Sequence, residues 1–128
     1  MIYGIGTDIV RVARMRRNLE RYGDRFASRI LTPLEMAEFA ACKRRGHFLA
    51  KRFAAKEAAV KALGTGFSKG LGPRQIGVVH DANGKPGLEY YGPAKEYCER
   101  VGVDKSLLSI ADEDEYAVAF VTLLMKTD

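Results

Sequence analysis

Two carboxylates and a lysine occupy places where local structure has no need of charge. Glu57 and Lys61 lie four residues apart in the run Phe48–Gly66, which is rich in alanine, leucine, lysine and glutamate and free of proline. That composition predicts a long helix, with Gly64 placed to end it in a left-handed conformation. At about 100° per residue, Phe53, Ala54, Glu57 and Lys61 share one sector, whereas Arg52 and Lys56 point elsewhere. Taken alone, Glu57 and Lys61 read as an i,i+4 ion pair in the favourable order, worth about 0.2–0.5 kcal/mol. The six alanines between Ala50 and Ala62 keep the helix slim, so a ligand or another backbone has room to approach.

Asp8 raises the same question from a strand. Between Ile2 and Val10, Tyr3, Ile5, Thr7 and Ile9 alternate with Gly4, Gly6 and Asp8. Glycine and aspartate are poor strand residues, so the second face reads as cleared for something beside the carboxylate. The plainer alternative is an aspartate capping the next helix. Two carboxylates and a lysine suit a magnesium–phosphate site. Mg²⁺ takes one or two carboxylates and completes its shell with water and phosphate oxygens, and a lysine adds a point charge for the phosphate.

Other motifs fail on inspection. Gly4-x-Gly6 has Ile9 where a dinucleotide fingerprint needs its third glycine. The glycine-rich run Gly64–Pro73 lacks the phosphate-loop order and follows a helix C-terminus, where the macrodipole is negative. It reads as a helix stop and a loop lining a cleft. His47 and His80 have no nucleophile or metal-ligand neighbour in sequence. Cys42 and Cys98 lack metal-ligand spacing and are too few for a disulfide scaffold, so two reduced thiols are expected.

The elements that must position these groups follow from periodicity. Val12, Met15, Leu19 and Tyr22 mark the buried stripe of a helix ending near Gly23. Its other side carries Arg14, Arg17 and Arg21 as a ridge, flanked by Arg11, Arg16 and Arg25, which suits an acidic partner. Thr32-Pro33-Leu34-Glu35 is a capping-box helix start, with the helix running to about Cys42. Lys43-Arg44-Arg45-Gly46 reads as a basic loop before the long helix. Gln75–Val79 and Leu88–Tyr91 form a hairpin across an Asn-Gly turn. Pro93–Val101 is a helix with Ala94, Tyr97, Cys98 and Val101 inward. Leu107–Ala111 and Tyr116–Leu124 pair across the acidic turn Asp112–Glu115, with an apolar continuity that predicts central burial.

The 128 residues suit one domain with a real core, and 47% of them are hydrophobic. A formal charge of +5, from 21 Lys and Arg against 16 Asp and Glu, favours an anionic partner. No apolar run approaches the roughly 18 residues of a membrane helix, and no signal peptide opens the chain, so a cytoplasmic protein is expected. A nucleic-acid-binding module is disfavoured because the arginine ridge has no base-stacking motif beside it.

Ile5-Gly6-Thr7-Asp8-Ile9-Val10, together with Arg52–Gly66, resembles the holo-[acyl-carrier-protein] synthase family of 4′-phosphopantetheinyl transferases. Arg29–Pro33, Asn83-Gly84-Lys85-Pro86 and Tyr116–Ala119 extend the resemblance over nearly the whole chain. It implies an α+β fold, with a long helix on a curved antiparallel sheet, and a homotrimer with active sites at subunit interfaces. The implied reaction is Mg²⁺-dependent transfer of 4′-phosphopantetheine from coenzyme A to a serine of apo acyl carrier protein. It releases adenosine 3′,5′-bisphosphate and supports fatty acid biosynthesis. Carried over by motif, Asp8 and Glu57 hold Mg²⁺ and Lys61 contacts the pyrophosphate. Arg44, Arg45 and Arg52 are candidates for the 3′-phosphate, with Gly64, Asn83 and Pro86 also at the coenzyme. Arg14, Arg17, Arg21 and Arg25 dock the carrier. Two proton acceptors stay open: Glu57 and a water on the metal. One departure is visible at Ser109–Asp112, which lacks a histidine that several family members carry there to hold the nucleotide. The main competing enzyme class is another Mg²⁺-dependent phosphotransferase or hydrolase that acts on coenzyme A without a protein acceptor.

Overall fold

The computed structural model describes residues 1–127. In chain order the elements are β1 (Ile2–Arg11), α1 (Val12–Tyr22), α2 (Asp24–Ser28), α3 (Pro33–Ala40) and α4 (Arg45–Leu63). After a 3₁₀ turn at Pro73–Gln75 come β2 (Ile76–His80), β3 (Pro86–Tyr90), α5 (Gly92–Val101), β4 (Val103–Asp112) and β5 (Tyr116–Met125). The strands make two antiparallel ladders, β1-β5-β4 and β2-β3. The long helix α4 lies across the first ladder, so the α+β architecture implied by the resemblance holds.

The cleared face of β1 is cleared for this helix. A Cβ on Gly4 would stand 2.1 Å from the carbonyl oxygen of Ala62, and one on Gly6 the same 2.1 Å from that of Ala58. Real Cβ atoms do not approach backbone so closely, which is why β1 carries glycine there. Opposite them on β5 stand Leu123, Val121 and, beside Asp8, Ala119. Ala54, Ala55, Ala58, Ala59 and Ala62 are buried. Of the two occupants that the slim helix leaves open, a ligand or another backbone, it is the backbone of β1 that lies against the alanines.

β5 is the central strand, as its apolar continuity predicts, but only one face is covered. Ala117, Ala119, Val121 and Leu123 turn inward, whereas Ile5, Ile9, Leu107, Val118 and Phe120 remain exposed on the outer face. Ile9 pairs with Val118 and Thr7 with Phe120, so the exposed apolar side chains are neighbours across the ladder.

Several boundaries differ from expectation. The long helix begins at Arg45, so the basic loop before it is shorter than its sequence suggests. Tyr22 does not belong to the buried stripe of α1: it is exposed, and its ring lies 6.5 Å from that of Phe26. Gly23, at φ 67°, breaks the chain between α1 and a short helix, α2, that periodicity did not reveal. The capping box of α3 forms as expected, with Glu35 Oε1 accepting from the Thr32 amide at 2.8 Å and Thr32 Oγ1 accepting from the Glu35 amide at 3.2 Å.

Candidate active site

The close crossing of β1 and α4 brings Asp8, Glu57 and Lys61 together. Lys61 Nζ donates to Asp8 Oδ1 at 2.9 Å and to the Thr7 carbonyl at 3.2 Å. The Asp8 side chain keeps 16% of its exposure and that of Lys61 51%, so the lysine reaches from the surface to a mostly covered carboxylate. Lys61 therefore takes Asp8 as its partner, and the i,i+4 pair with Glu57 is not what positions it. Its bond to Asp8, above all, raises the Lys61 ammonium pKa from its ordinary value.

Glu57 is half-buried on the same face. Burial first, and the charge of Asp8 second, push its carboxyl above the usual range, while Lys61 and Arg14 pull it back. Asp8 is near enough for its charge to bear on Glu57, and a divalent cation would relieve that repulsion. Among the described residues no group of three or more His, Cys, Asp or Glu side chains gathers to hold a metal. Two hard carboxylates fit the demand of Mg²⁺, which keeps water and substrate oxygens in the rest of its shell.

Arg14 comes near these groups from α1. Its guanidinium lies 5.9 Å from the Phe53 ring centroid, one turn before Glu57. Arg14, Arg17, Arg21 and Arg25 are all exposed, and Arg21, Tyr22, Arg25, Phe26 and Arg29 line a shallow basic and aromatic cleft. The expected ridge is present, and beside it lie Phe26 and Tyr22, of which periodicity assigns Tyr22 to the core.

The remaining candidates are scattered. Arg44 is exposed at the start of α4, where its Nη2 stands 3.0 Å from His47 Nε2. These two, with Cys42, Lys43, Phe48, Lys51 and Asp112, line a recess. Arg45 is held by Asp24 at 2.6 Å and lies 4.0 Å above the Phe39 ring. Gly64 caps α4 at φ 83°, and Asn83 and Pro86 sit at the turn of the β2–β3 hairpin. Arg52 is elsewhere: it is buried, stacked 4.3 Å over Phe48 and within 3.8 Å of both Glu35 and Glu38. Its guanidinium faces the interior and is not offered to a nucleotide.

One feature escaped sequence reading altogether. Lys56 and Glu35 are fully buried and joined at 2.6 Å. A lysine beside a candidate catalytic glutamate in an alanine-rich helix looks solvated, and nothing in its spacing marks it as interior. The only available hint was that Lys56 falls outside the sector of Glu57.

Residues 4–121 match the model of the 4′-phosphopantetheinyl transferase superfamily. The chain is 59% identical over 128 residues to a holo-[acyl-carrier-protein] synthase of Nitrosococcus oceani, covering 100% of this chain and 83% of that one. It superposes with a TM-score of 0.90 on the crystal structure of the holo-[acyl-carrier-protein] synthase from Neisseria meningitidis, at 48% identity, covering 97% and 99% of the two chains. A Bacillus anthracis holo-(acyl-carrier-protein) synthase, solved in complex with CoA (3′,5′-ADP), matches with a TM-score of 0.80 at 39% identity and 96% coverage of each chain. The chain thus belongs to the 4′-phosphopantetheinyl transferase superfamily, within its holo-[acyl-carrier-protein] synthase family.

Proposed function

We propose that this chain, as one domain spanning residues 1–128, transfers 4′-phosphopantetheine from coenzyme A to a serine hydroxyl of apo acyl carrier protein and so serves fatty acid biosynthesis. The observation that carries the reading is the convergence of Asp8, Glu57 and Lys61 where β1 crosses α4. The coenzyme A bound in the Bacillus anthracis relative supports the co-substrate.

The serine oxygen forms a bond to the phosphorus of the pantetheine phosphate, and the bond from that phosphorus to the bridging pyrophosphate oxygen breaks. Adenosine 3′,5′-bisphosphate leaves with that oxygen. Lys61, steadied by Asp8 and the Thr7 carbonyl, places a fixed positive charge against the pyrophosphate. Glu57, half-buried beside Asp8 and Lys61, is the side chain placed to accept the serine proton. Asp8 and Glu57 would hold Mg²⁺, which when bound draws off charge that develops on the leaving phosphate. Arg44 and Arg45, beside the recess at the start of α4, serve the 3′-phosphate, with Gly64, Asn83 and Pro86 along the rest of the coenzyme. Arg52 is left out because its charge is committed inside the fold.

Arg14, Arg17, Arg21 and Arg25 form the docking face for the acidic carrier. A homotrimer covers the outer sheet face, where Ile9 is 64% and Phe120 46% exposed in the single chain. Apolar neighbours of that size in one exposed patch mark an interface. A cytoplasmic site accords with two free thiols, Cys42 and Cys98. Among the described residues no helix is long and apolar enough to cross a membrane. The experiment that tests the reading is the intact mass of apo acyl carrier protein after incubation with the protein, coenzyme A and Mg²⁺.

A further inference from the structure

We propose that Glu35 and Lys56 are positioning residues for coenzyme A, a buried ion pair that locks the segment 73–78, and the hairpin it opens, onto α4 directly behind Glu57. The assignment rests on the coenzyme A reading above.

The pair is saturated with directional bonds. Lys56 Nζ is fully buried and donates to Glu35 Oε1 at 2.6 Å, to the Pro73 carbonyl at 2.9 Å and to the Ile76 carbonyl at 2.7 Å, using all three of its protons. Glu35 Oε1 also accepts from the Thr32 amide at 2.8 Å, and Oε2 accepts from the Val78 amide at 2.9 Å. Two side chains thus grip three backbone groups of the chain between residues 73 and 78, from α3 on one side and α4 on the other.

Stability alone does not explain such a pair. A buried ion pair costs heavily in desolvation, and an apolar pair of similar volume commonly serves stability as well or better. What an apolar pair lacks is direction. The segment it grips needs direction, because β2 pairs only with β3, and this two-stranded ladder shares no strand with the main sheet. The bond between the Tyr90 and Ser106 hydroxyls, 2.7 Å long, steadies the far strand of the hairpin against β4. On the α4 side the Glu35–Lys56 pair has that task. The hairpin carries Asn83 and Pro86, and Lys56 directly precedes Glu57. One turn of α4 therefore presents the reactive carboxylate on one side and sets the hairpin's pose from the other.

The test compares wild type with the double substitution Glu35→Gln, Lys56→Met, which removes both charges together and leaves the buried Arg52 with Glu38 as its partner. Glutamine keeps an acceptor for one of the two amides that Glu35 bonds, Thr32 or Val78, and methionine keeps the length of the lysine stem. The expected result is a folded protein whose coenzyme A KM, and whose Kd for coenzyme A by calorimetry, rise about tenfold. Its kcat at saturating coenzyme A moves less than about threefold, and its carrier KM is unchanged. A folded double variant with unaltered coenzyme A KM and Kd overturns the assignment, as does a uniform loss of kcat with both KM values. If the double variant does not fold, Glu35→Asp, which keeps both charges but shortens the reach of the carboxylate to the Val78 amide, is measured against the same expectations. Wild-type protein that binds no coenzyme A overturns the functional reading itself, whereas binding by wild type with no difference in the variant overturns only this assignment.

Discussion

Gly6 lies against the carbonyl oxygen of Ala58, so that a Cβ on Gly6 would stand 2.1 Å from it. That contact sets the distance between β1 and α4, and with it the distance between Asp8, two residues along the strand, and Glu57, beside Ala58 on the helix. Gly6→Ala should cost about 3 kcal/mol, because the obstacle is backbone and cannot swing aside. Gly87→Ala is the control, since its Cβ would meet only Val79 Cγ2 at an ordinary 3.9 Å. Urea unfolding of both variants at one protein concentration checks the difference; equal midpoints would mean that the sheet and helix are not in close backbone contact.

The legible part of the sequence was its pattern. The Gly4, Gly6, Asp8 alternation, the capping box at Thr32 and Glu35, and the left-handed glycine at 64 all stand where composition places them. What filled the cleared strand face was not legible, because a missing side chain looks the same whether a ligand or a helix backbone takes its place. Lys56 was misleading for a related reason. Its burial depends on Glu35, Pro73 and Ile76, which are 17 to 21 residues away and leave no periodic mark in α4.

Lys61→Met should lower kcat at least about a hundredfold, the scale expected when one oriented charge is removed from a transition state. The Lys61 side chain is half-exposed, so thermal unfolding should move by only a few degrees. A variant with wild-type turnover would place the pyrophosphate elsewhere.

Arg21→Glu should raise the carrier KM at least about tenfold while the Kd for coenzyme A stays within twofold, and the wild-type carrier KM should climb with added salt. Arg21 is the cleaner probe than Arg14, whose guanidinium also lies beside Phe53 and bears on Glu57. Equal losses for carrier and coenzyme A would take the arginine ridge out of docking.

Phe120→Asp introduces a charge among Ile9, Val118 and Leu107 on the exposed sheet face. Sedimentation should show wild type as a trimer and the variant as a monomer, with transfer activity lost alongside the assembly. A monomeric wild type would leave that apolar face to another partner.

The central claim is that Glu57, at the crossing of β1 and α4, serves phosphopantetheine transfer. Wild-type protein and the Glu57→Gln variant are each incubated with coenzyme A, Mg²⁺ and apo acyl carrier protein, and the carrier is weighed by intact mass spectrometry. Wild type should add one phosphopantetheine mass and a folded Glu57→Gln none, with adenosine 3′,5′-bisphosphate appearing only with the first. An unmodified carrier with wild type under every divalent metal, or normal transfer by Glu57→Gln, would contradict that claim.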